Sequence, residues 1–390
     1  MKKTLILFTL LFTILSFGQS PNKFEAVDAK MIIIPARSAV RTDGIASYIN
    51  DNFKSESDKI RAAFFWTASN ISYDVSNMYS VKYDETVQDK IARTLKSKKG
   101  VCSNYAEVLN DITKKIGIQS HIIEGYNKQN GKITNLAHAW TAAKVDNKWC
   151  LFDATWGSGY VNNGRFSKKL NDAYFKADPN QLISSHIPFD YLWQFLNYPI
   201  TNSEFYEGKV QINKSKKYFD FKNEITKYNS LPETDQLFES AQRIEKNGLK
   251  NAMIVERYEF KKGKLASIRK NNNIEKLNAL VNEMNYAVAM LNDFIHYRNN
   301  KFKPTFSDNE ISNMIAAPKE KLLKCQKEIY EIGDVGNANA ANFSLIKKTL
   351  NKTLAQAEEH DAFVKEYLGK SKLIRKTMFS KMSFATSRLK

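Results

Sequence analysis

The clearest hydrophobic period begins just after residue 101. Tyr105, Ala106, Val108, Leu109 and Ile112 recur at three- and four-residue steps, which predicts an amphipathic helix with one buried face. Residues 44–53, 57–71 and 87–96 show the same spacing, and Ser55 or Ser57 offers a side-chain cap for the second of them. The period then shortens. Residues 120–126, 137–145 and 148–156 are rich in β-branched and aromatic side chains and are separated by NKQNGK and DNK, both turn chemistry. This predicts an antiparallel meander packed against the helix that starts near 102, an α+β arrangement.

Beyond about residue 231 glycine, proline and tryptophan thin out. Ile274, Leu277, Val281, Met284, Val288, Leu291 and Ile295 alternate in steps of three and four as a heptad seam. Leu322, Cys325, Ile329 and Ile332, then Phe343, Ile346 and Leu350, repeat the spacing, so Cys325 reads as a core residue. The region 231–390 reads as an all-α helical bundle or long helical hairpin. A dimeric coiled coil is the alternative, but short linkers such as GDVGN favour folding back within one chain.

The first residues, MKKTLILFTLLFTILSFGQS, have the form of a secretory leader: Lys2 and Lys3, an apolar run, then Ser16 and Gly18 before a cut. The run is shorter than the roughly 20 apolar residues needed to span a bilayer. The expected organisation is a leader over 1–18, an α+β domain over 19–230 and a helical domain over 231–390. The expected location is outside the cytoplasm, periplasmic or extracellular.

Three cysteines are too few for a disulfide scaffold in an exported chain, and at least one is unpaired, which suggests a working thiol. The formal charge of +18 favours contact with acidic surfaces or polymers. Nucleic acid is not an expected partner, because the compartment is wrong and no nucleic-acid-binding motif is present. The tail 370–390 carries basic and no acidic residues, and Ile374, Met378 and Met382 lie four apart. It can lie on an anionic membrane surface or envelope polymer; a solvated terminal helix is the alternative.

Cys102 comes just after Lys98, Lys99 and Gly100 and opens the predicted helix. A helix N-terminus and neighbouring cations both favour thiolate over thiol; a small apolar residue packed at the core is the other reading. His138 opens one predicted strand and Asp153 lies near the end of the next, across the DNK turn, where antiparallel neighbours meet. A carboxylate beside an imidazole that also reaches a helix-terminal thiol makes a thiolate–imidazolium pair, a nucleophile at neutral pH.

GVCSNYA, AHAW and LFDATWGSG together resemble the three motifs of the transglutaminase-like superfamily, and most of all its bacterial branch related to the kyphoscoliosis-type peptidase. The resemblance runs over about 40–205. It takes in KIRAAFFWTASNISYD upstream and FKADPNQLISSHIPFDYLWQFLNYPIT downstream. It implies a papain-like, transglutaminase-like core with Cys102 as nucleophile, His138 as general base and acid, and Asp153 orienting the histidine. It implies an exported cysteine enzyme that cleaves peptide or glutamine carboxamide bonds through a thioester, with hydrolysis preferred to transamidation. Its substrate would be a protein or peptide, with cell-envelope peptide as one option. A catalytically silent binding scaffold is the alternative function.

Trp140 and Trp156 flank the motif residues and, with Tyr105, are the candidate walls of a substrate cleft; core packing is their other reading. Cys150, often aromatic in relatives, falls on the opposite strand face from Asp153 and reads as a packed thiol, with a Cys102–Cys150 disulfide left open. His121 reads as a core or edge residue, His186 as a cap in the downstream segment, and His296 and His360 as solvated. No pair of histidines or cysteines has metal-ligand spacing, and nothing in the pattern calls for a cofactor.

Overall fold

The computed structural model describes residues 23–79 and 85–386, so the expected leader lies outside the described residues. The chain divides into two compact units. One comprises residues up to Leu231 together with Glu239–Glu259; the other comprises Pro232–Phe238 and Phe260–Lys390.

The first unit opens with helices α1 (Glu25–Ile32), α2 (Thr42–Asn52), α3 (Glu56–Asn70), α4 (Val87–Ser97) and α5 (Cys102–Lys115). Ser55, one of the two expected caps, accepts the Asp58 N–H at 3.0 Å. Short strands β1 (Ser72–Tyr73) and β2 (Lys99–Gly100) pair in parallel. The main sheet is antiparallel. It contains β3 (Ser120–Gln129), β4 (Lys132–Val145), β5 (Lys148–Phe152) and, later in the chain, β8 (His186–Pro188), in the order β5-β4-β3-β8. The Asn130–Gly131 and Asp146–Asn147 turns adopt positive φ, as tight hairpin turns require. After β5 the chain forms a short helix α6 (Ala154–Ser158) and the hairpin β6 (Gly159–Asn162)–β7 (Arg165–Lys168). Next come α7 (Pro179–Leu182), β8, α8 (Asn202–Glu207) and α9 (Phe221–Ser230).

The sheet has two covered faces because β4 alternates. Ala143 and Val145, with Phe152, face a core built by Ile60, Phe64 and Trp66 of α3 and Val108, Leu109 and Ile112 of α5. Trp140 and Ala142, with Ile123 and Leu151, face a second core with Leu182, Leu192 and Ile225. The helix predicted after residue 101 is thus present with its apolar face fully buried.

One expected strand ends early. Residues 153–156 do not continue β5, because the Asp153 side chain accepts the backbone N–H groups of Thr155 and Trp156 and turns the chain into α6. β5 is also an edge of the sheet.

The boundary expected at 230/231 differs from the observed division. Ile244 and Ile254, assigned by sequence to the helical domain, are buried in a cluster with Tyr126, Ile187 and Phe205. Arg243 makes a buried two-point contact to Asp190 at 2.7 and 3.0 Å. The heptad spacing that marks the helical region starts only at Ile274, so it does not separate residues 239–259 from the helices of the second unit.

The helices after α9 are α10 (Glu233–Lys246), α11 (Ala252–Asn299), α12 (Asp308–Ile329), α13 (Asn337–Leu368) and α14 (Lys372–Thr386). In the second unit Leu277, Met284 and Leu291 pack with Leu322, Cys325 and Ile329 and with Ile346, Leu350 and Leu354, the three stripes the sequence shows. In α14, Arg375 binds Asp308 at 2.6 Å and Phe379 packs on Phe302, whereas Ile374, expected on an apolar face, is exposed. Residues 387–390 lie outside the described residues. No described helix is long and apolar enough to cross a membrane.

Candidate active site

Cys102 owes its position to the turn before it. Lys98 ends α4 in the left-handed region, with its N–H bonded to Thr94 O at 2.8 Å. Gly100 comes two residues later, where a Cβ would lie 2.5 Å from Asn104 Cβ. Asn104 closes over that glycine: its Oδ1 accepts the Val101 N–H at 2.9 Å and its Nδ2 donates to Thr94 Oγ1 at 2.8 Å. The pinned turn places Cys102 as the first residue of α5, half-buried, in the partial positive charge of the helix start.

His138 sits on β4 opposite Gly125, where a Cβ would strike Ile187 O at 2.1 Å and the Trp140 ring at 2.7 Å. The His138 ring is buried, stacked near Trp140 at 5.9 Å and flanked by Trp156 at 6.0 Å. Its Nε2 donates to Asp153 Oδ2 at 2.7 Å. The other ring nitrogen, Nδ1, is left for Cys102, whose charge and that of His138 act on one another. Asp153 is buried with every lone-pair direction used. Oδ1 takes the Thr155 and Trp156 N–H groups at 2.8 and 3.0 Å; Oδ2 takes His138 and also His186 Nε2 at 3.1 Å.

These contacts set the electrostatics. Burial alone would raise the Cys102 thiol, but the hydrogen bond and charge of His138, with a bond from the Ala139 N–H, bring it below its ordinary value. The Cys102 Sγ lies 3.9 Å from Ala137 O, to which its thiol can donate. Burial would depress His138, and the Asp153 carboxylate and Cys102 reverse this, raising it to about 10. Burial opposes the Asp153 charge, yet the two imidazoles hold it well below the usual carboxylate range. Of the two lysines expected to support the thiolate, Lys98 is engaged elsewhere, its ammonium over the Trp66 ring at 4.6 Å.

All three cysteines are free, so no Cys102–Cys150 disulfide is present. Cys150 is half-buried against the α3–α5 core.

Two expected cleft residues are not in a cleft. Tyr105 is fully buried, its hydroxyl donating to Ile71 O at 2.8 Å, because its α5 position faces the core. Trp140 is 1% exposed beneath His138. Trp156, on α6, is the partly open aromatic at the site, packed edge-on to Tyr174 and His186 at 5.5 and 4.5 Å.

Two residues near the thiol were not picked out by sequence as site members. Tyr73 pairs with Gly100 in the β1–β2 register, and its hydroxyl is pushed up to about 12 by burial and then by the Cys102 charge. It lies in the isoleucine-x-tyrosine-aspartate run, which was the available signal. His186, read as a local cap, instead reaches Asp153. The HIP run carries β8 against β3, and Asn127 pairs with His186.

His138, Asp153 and His186 are also grouped closely enough to be considered as metal ligands. Their N···O separations of 2.7 and 3.1 Å are hydrogen-bond lengths. They are shorter than the ~3.3 Å between ligands around a tetrahedral zinc at about 2.0 Å. The donor set fits the hydrogen-bonded arrangement better than a metal centre.

Residues 43–154 match the family model described as the Transglutaminase-like superfamily. The human kyphoscoliosis peptidase is 28% identical over 192 residues, covering 47% of this chain and 28% of that protein. Hillarin of Drosophila melanogaster is 22% identical over 205 residues, covering 47% of this chain and 24% of that protein. This chain therefore spans under a third of the length of these relatives. Two solved structures also match: one described as a TGase (TM-score 0.25, 19% identity, 42% of this chain and 40% of that one) and one as a putative cysteine protease from Cytophaga hutchinsonii (TM-score 0.24, 21% identity, 39% and 49%). Residues 43–154, from α2 through the Cys102 helix and the His138 strand to Asp153, form a domain of the transglutaminase-like superfamily.

Proposed function

We propose that the protein is an exported cysteine enzyme acting on carboxamide bonds of a peptide or protein, with Cys102 as nucleophile, His138 as acid and base, and Asp153 holding His138. The observation that carries the reading is His138 held at 2.7 Å by a fully hydrogen-bonded, buried Asp153, with Cys102 at the start of α5 electrostatically coupled to that imidazole.

In this reaction the Cys102 thiolate attacks the carbonyl carbon and the carbonyl electron pair moves to oxygen. The Cys102 backbone N–H and the Tyr73 hydroxyl are the donors available for that oxyanion. Collapse of the intermediate expels the amine, which takes the proton from His138 Nδ1, leaving a thioester. Water, deprotonated by the now neutral His138, attacks the thioester carbonyl, and collapse releases the acid and regenerates the thiolate–imidazolium pair. An external amine in place of water would give transamidation. Hydrolysis is favoured because nothing in the sequence marks an amine site that would outcompete water. The sources of such substrates are proteins or envelope peptides, and the basic tail is a proposed contact with acidic polymer or membrane surface.

The test is labelling followed by product analysis. Cys102 is expected to react with iodoacetamide near pH 6 far faster than a free thiol, whose ordinary pKa is about 8.5. A mixture of glutamine-containing peptides incubated with a fluorescent primary amine then separates the outcomes: new termini or deamidation for hydrolysis, fluorescent adducts for transfer. Alkylation no faster than a free thiol, with neither product formed, would sink the proposal.

A further inference from the structure

Asp153 Oδ2 serves two imidazoles, and only one of them can belong to the thiol. His186 is 1% exposed and lies between Trp140 (5.3 Å) and Trp156 (4.5 Å), with Tyr174 at 6.1 Å. The charged groups acting on it are Asp153 and His138; Lys128, whose backbone N–H bonds Ser185 O, sends its ammonium to Phe205 O instead.

The partners of His186 dictate its protonation pattern. Ionised Asp153 cannot donate, so Nε2 carries the proton that bonds Oδ2 at 3.1 Å. Nδ1 is then a bare acceptor in the neutral ring, and Ser185 Oγ donates to it at 2.8 Å. The competing acceptor for that hydroxyl, Leu182 O, is farther at 3.3 Å. Burial also pushes His186 below its ordinary value, in keeping with a neutral ring.

We propose that His186 is a positioning residue of the Cys102 site: a neutral imidazole whose Nε2–H fills one lone pair of Asp153 Oδ2 and so confines the His138 Nε2–H to the other. With Oδ1 fixed by two backbone N–H groups, the carboxylate then accepts His138 in one direction only. That direction turns His138 Nδ1 toward Cys102. The inference rests on the thiol-enzyme reading for its purpose, but not for its test.

The first measurement uses the unaltered chain. Long-range 15N–1H spectra of 15N-histidine-labelled protein should show His186 neutral with its proton on Nε2 across mildly acidic to neutral pH. A cationic His186, or one protonated on Nδ1, overturns the proposal. The second uses variants. His186→Leu empties the lone pair and should slow alkylation of Cys102 near pH 6 about tenfold, while His186→Gln, which keeps a side-chain N–H, should return it to within about threefold of the native rate. Equal rates in native and Leu proteins, or a Gln variant as slow as Leu, would show that the ring only packs. If the Leu variant does not fold, the tautomer spectra and the Gln variant decide. A native Cys102 that alkylates like a free thiol would refute the enzyme reading while leaving the tautomer result to judge His186 on its own.

Discussion

His138 Nε2 lies 2.7 Å from Asp153 Oδ2, and both groups are buried. The contact fixes which ring nitrogen is left for Cys102. In Asp153→Asn the amide oxygen can still cap α6, but its NH2 then faces two imidazole N–H donors. His138 escapes that clash by moving its proton to Nδ1, the wrong side for accepting one from Cys102. The analogous change in a serine triad costs about 10⁴ in turnover; a thiol, which ionises more readily, should lose about 10² to 10³. Alkylation of Cys102 near pH 6 should slow in parallel, with circular dichroism unchanged. Native-rate alkylation in this variant would remove Asp153 from the site.

Tyr73 provides a separate test of acyl chemistry. Its hydroxyl stays protonated beside the thiolate, so it is a standing donor. A peptide aldehyde forms a hemithioacetal whose oxygen occupies the oxyanion position, whereas iodoacetamide alkylation develops no such charge. Tyr73→Phe should weaken aldehyde binding by about 10- to 100-fold and leave alkylation unchanged. Equal loss of both would mean that Tyr73 supports the fold of the β1–β2 turn rather than the oxyanion.

Much of this site was legible because its chemistry is local. Cys102, His138 and Asp153 each sit at a place the pattern marks: a helix start, a strand, and the end of a tight hairpin's second strand. The rest depends on packing that no period encodes. Asp153 as a helix cap and not a strand residue is decided by two side-chain bonds two and three residues away. Tyr105 and Trp140 are aromatics next to motif residues, and only the face each presents tells core from cleft. His186 stands 33 residues beyond Asp153, and its role becomes visible only when β8 pairs with β3. The helical stripes were readable, but the chain's division was not. The α10–α11 segment that completes the first unit has the same helical composition as the second.

That segment yields a truncation test. Arg243 and Asp190 are 9% and 6% exposed in their side chains. Arg243→Met leaves the Asp190 charge buried without its partner and should cost about 3–5 kcal/mol, read as a fall in thermal midpoint. A chain ending at residue 230 loses Arg243, Ile244 and Ile254 together and should aggregate, contrary to what the sequence alone suggests. A chain ending at 259 keeps them and should remain soluble with a reactive Cys102. Equal solubility of both truncations would show that 239–259 is dispensable to the first unit.

The pH dependence of stability reads the charge state of Cys102 directly. In the folded protein the proposed function makes the pair thiolate and imidazolium; in the unfolded chain, between the ordinary values of about 6.5 and 8.5, it is thiol and neutral imidazole. Both states carry one proton, so the pair adds no slope in that window. Below about 6.5 the unfolded chain binds a proton on His138, His186 and His121. The folded chain gains fewer there, since His138 already holds one and burial lowers both His186 and His121, His121 to about 4. Stability should therefore fall with acidification, by up to about 1.4 kcal/mol per pH unit for each histidine. Cys102→Ala removes the thiolate but leaves Asp153 to hold the His138 proton. Its stability from that pair is complete below about 6.5 and is lost as pH rises toward the raised folded value. The variant should thus lose stability from neutral to alkaline pH where the native protein is flat, and fall less steeply on the acid side. Urea unfolding of both proteins across this range measures the difference, and parallel curves would mean that Cys102 is an ordinary thiol in the folded chain.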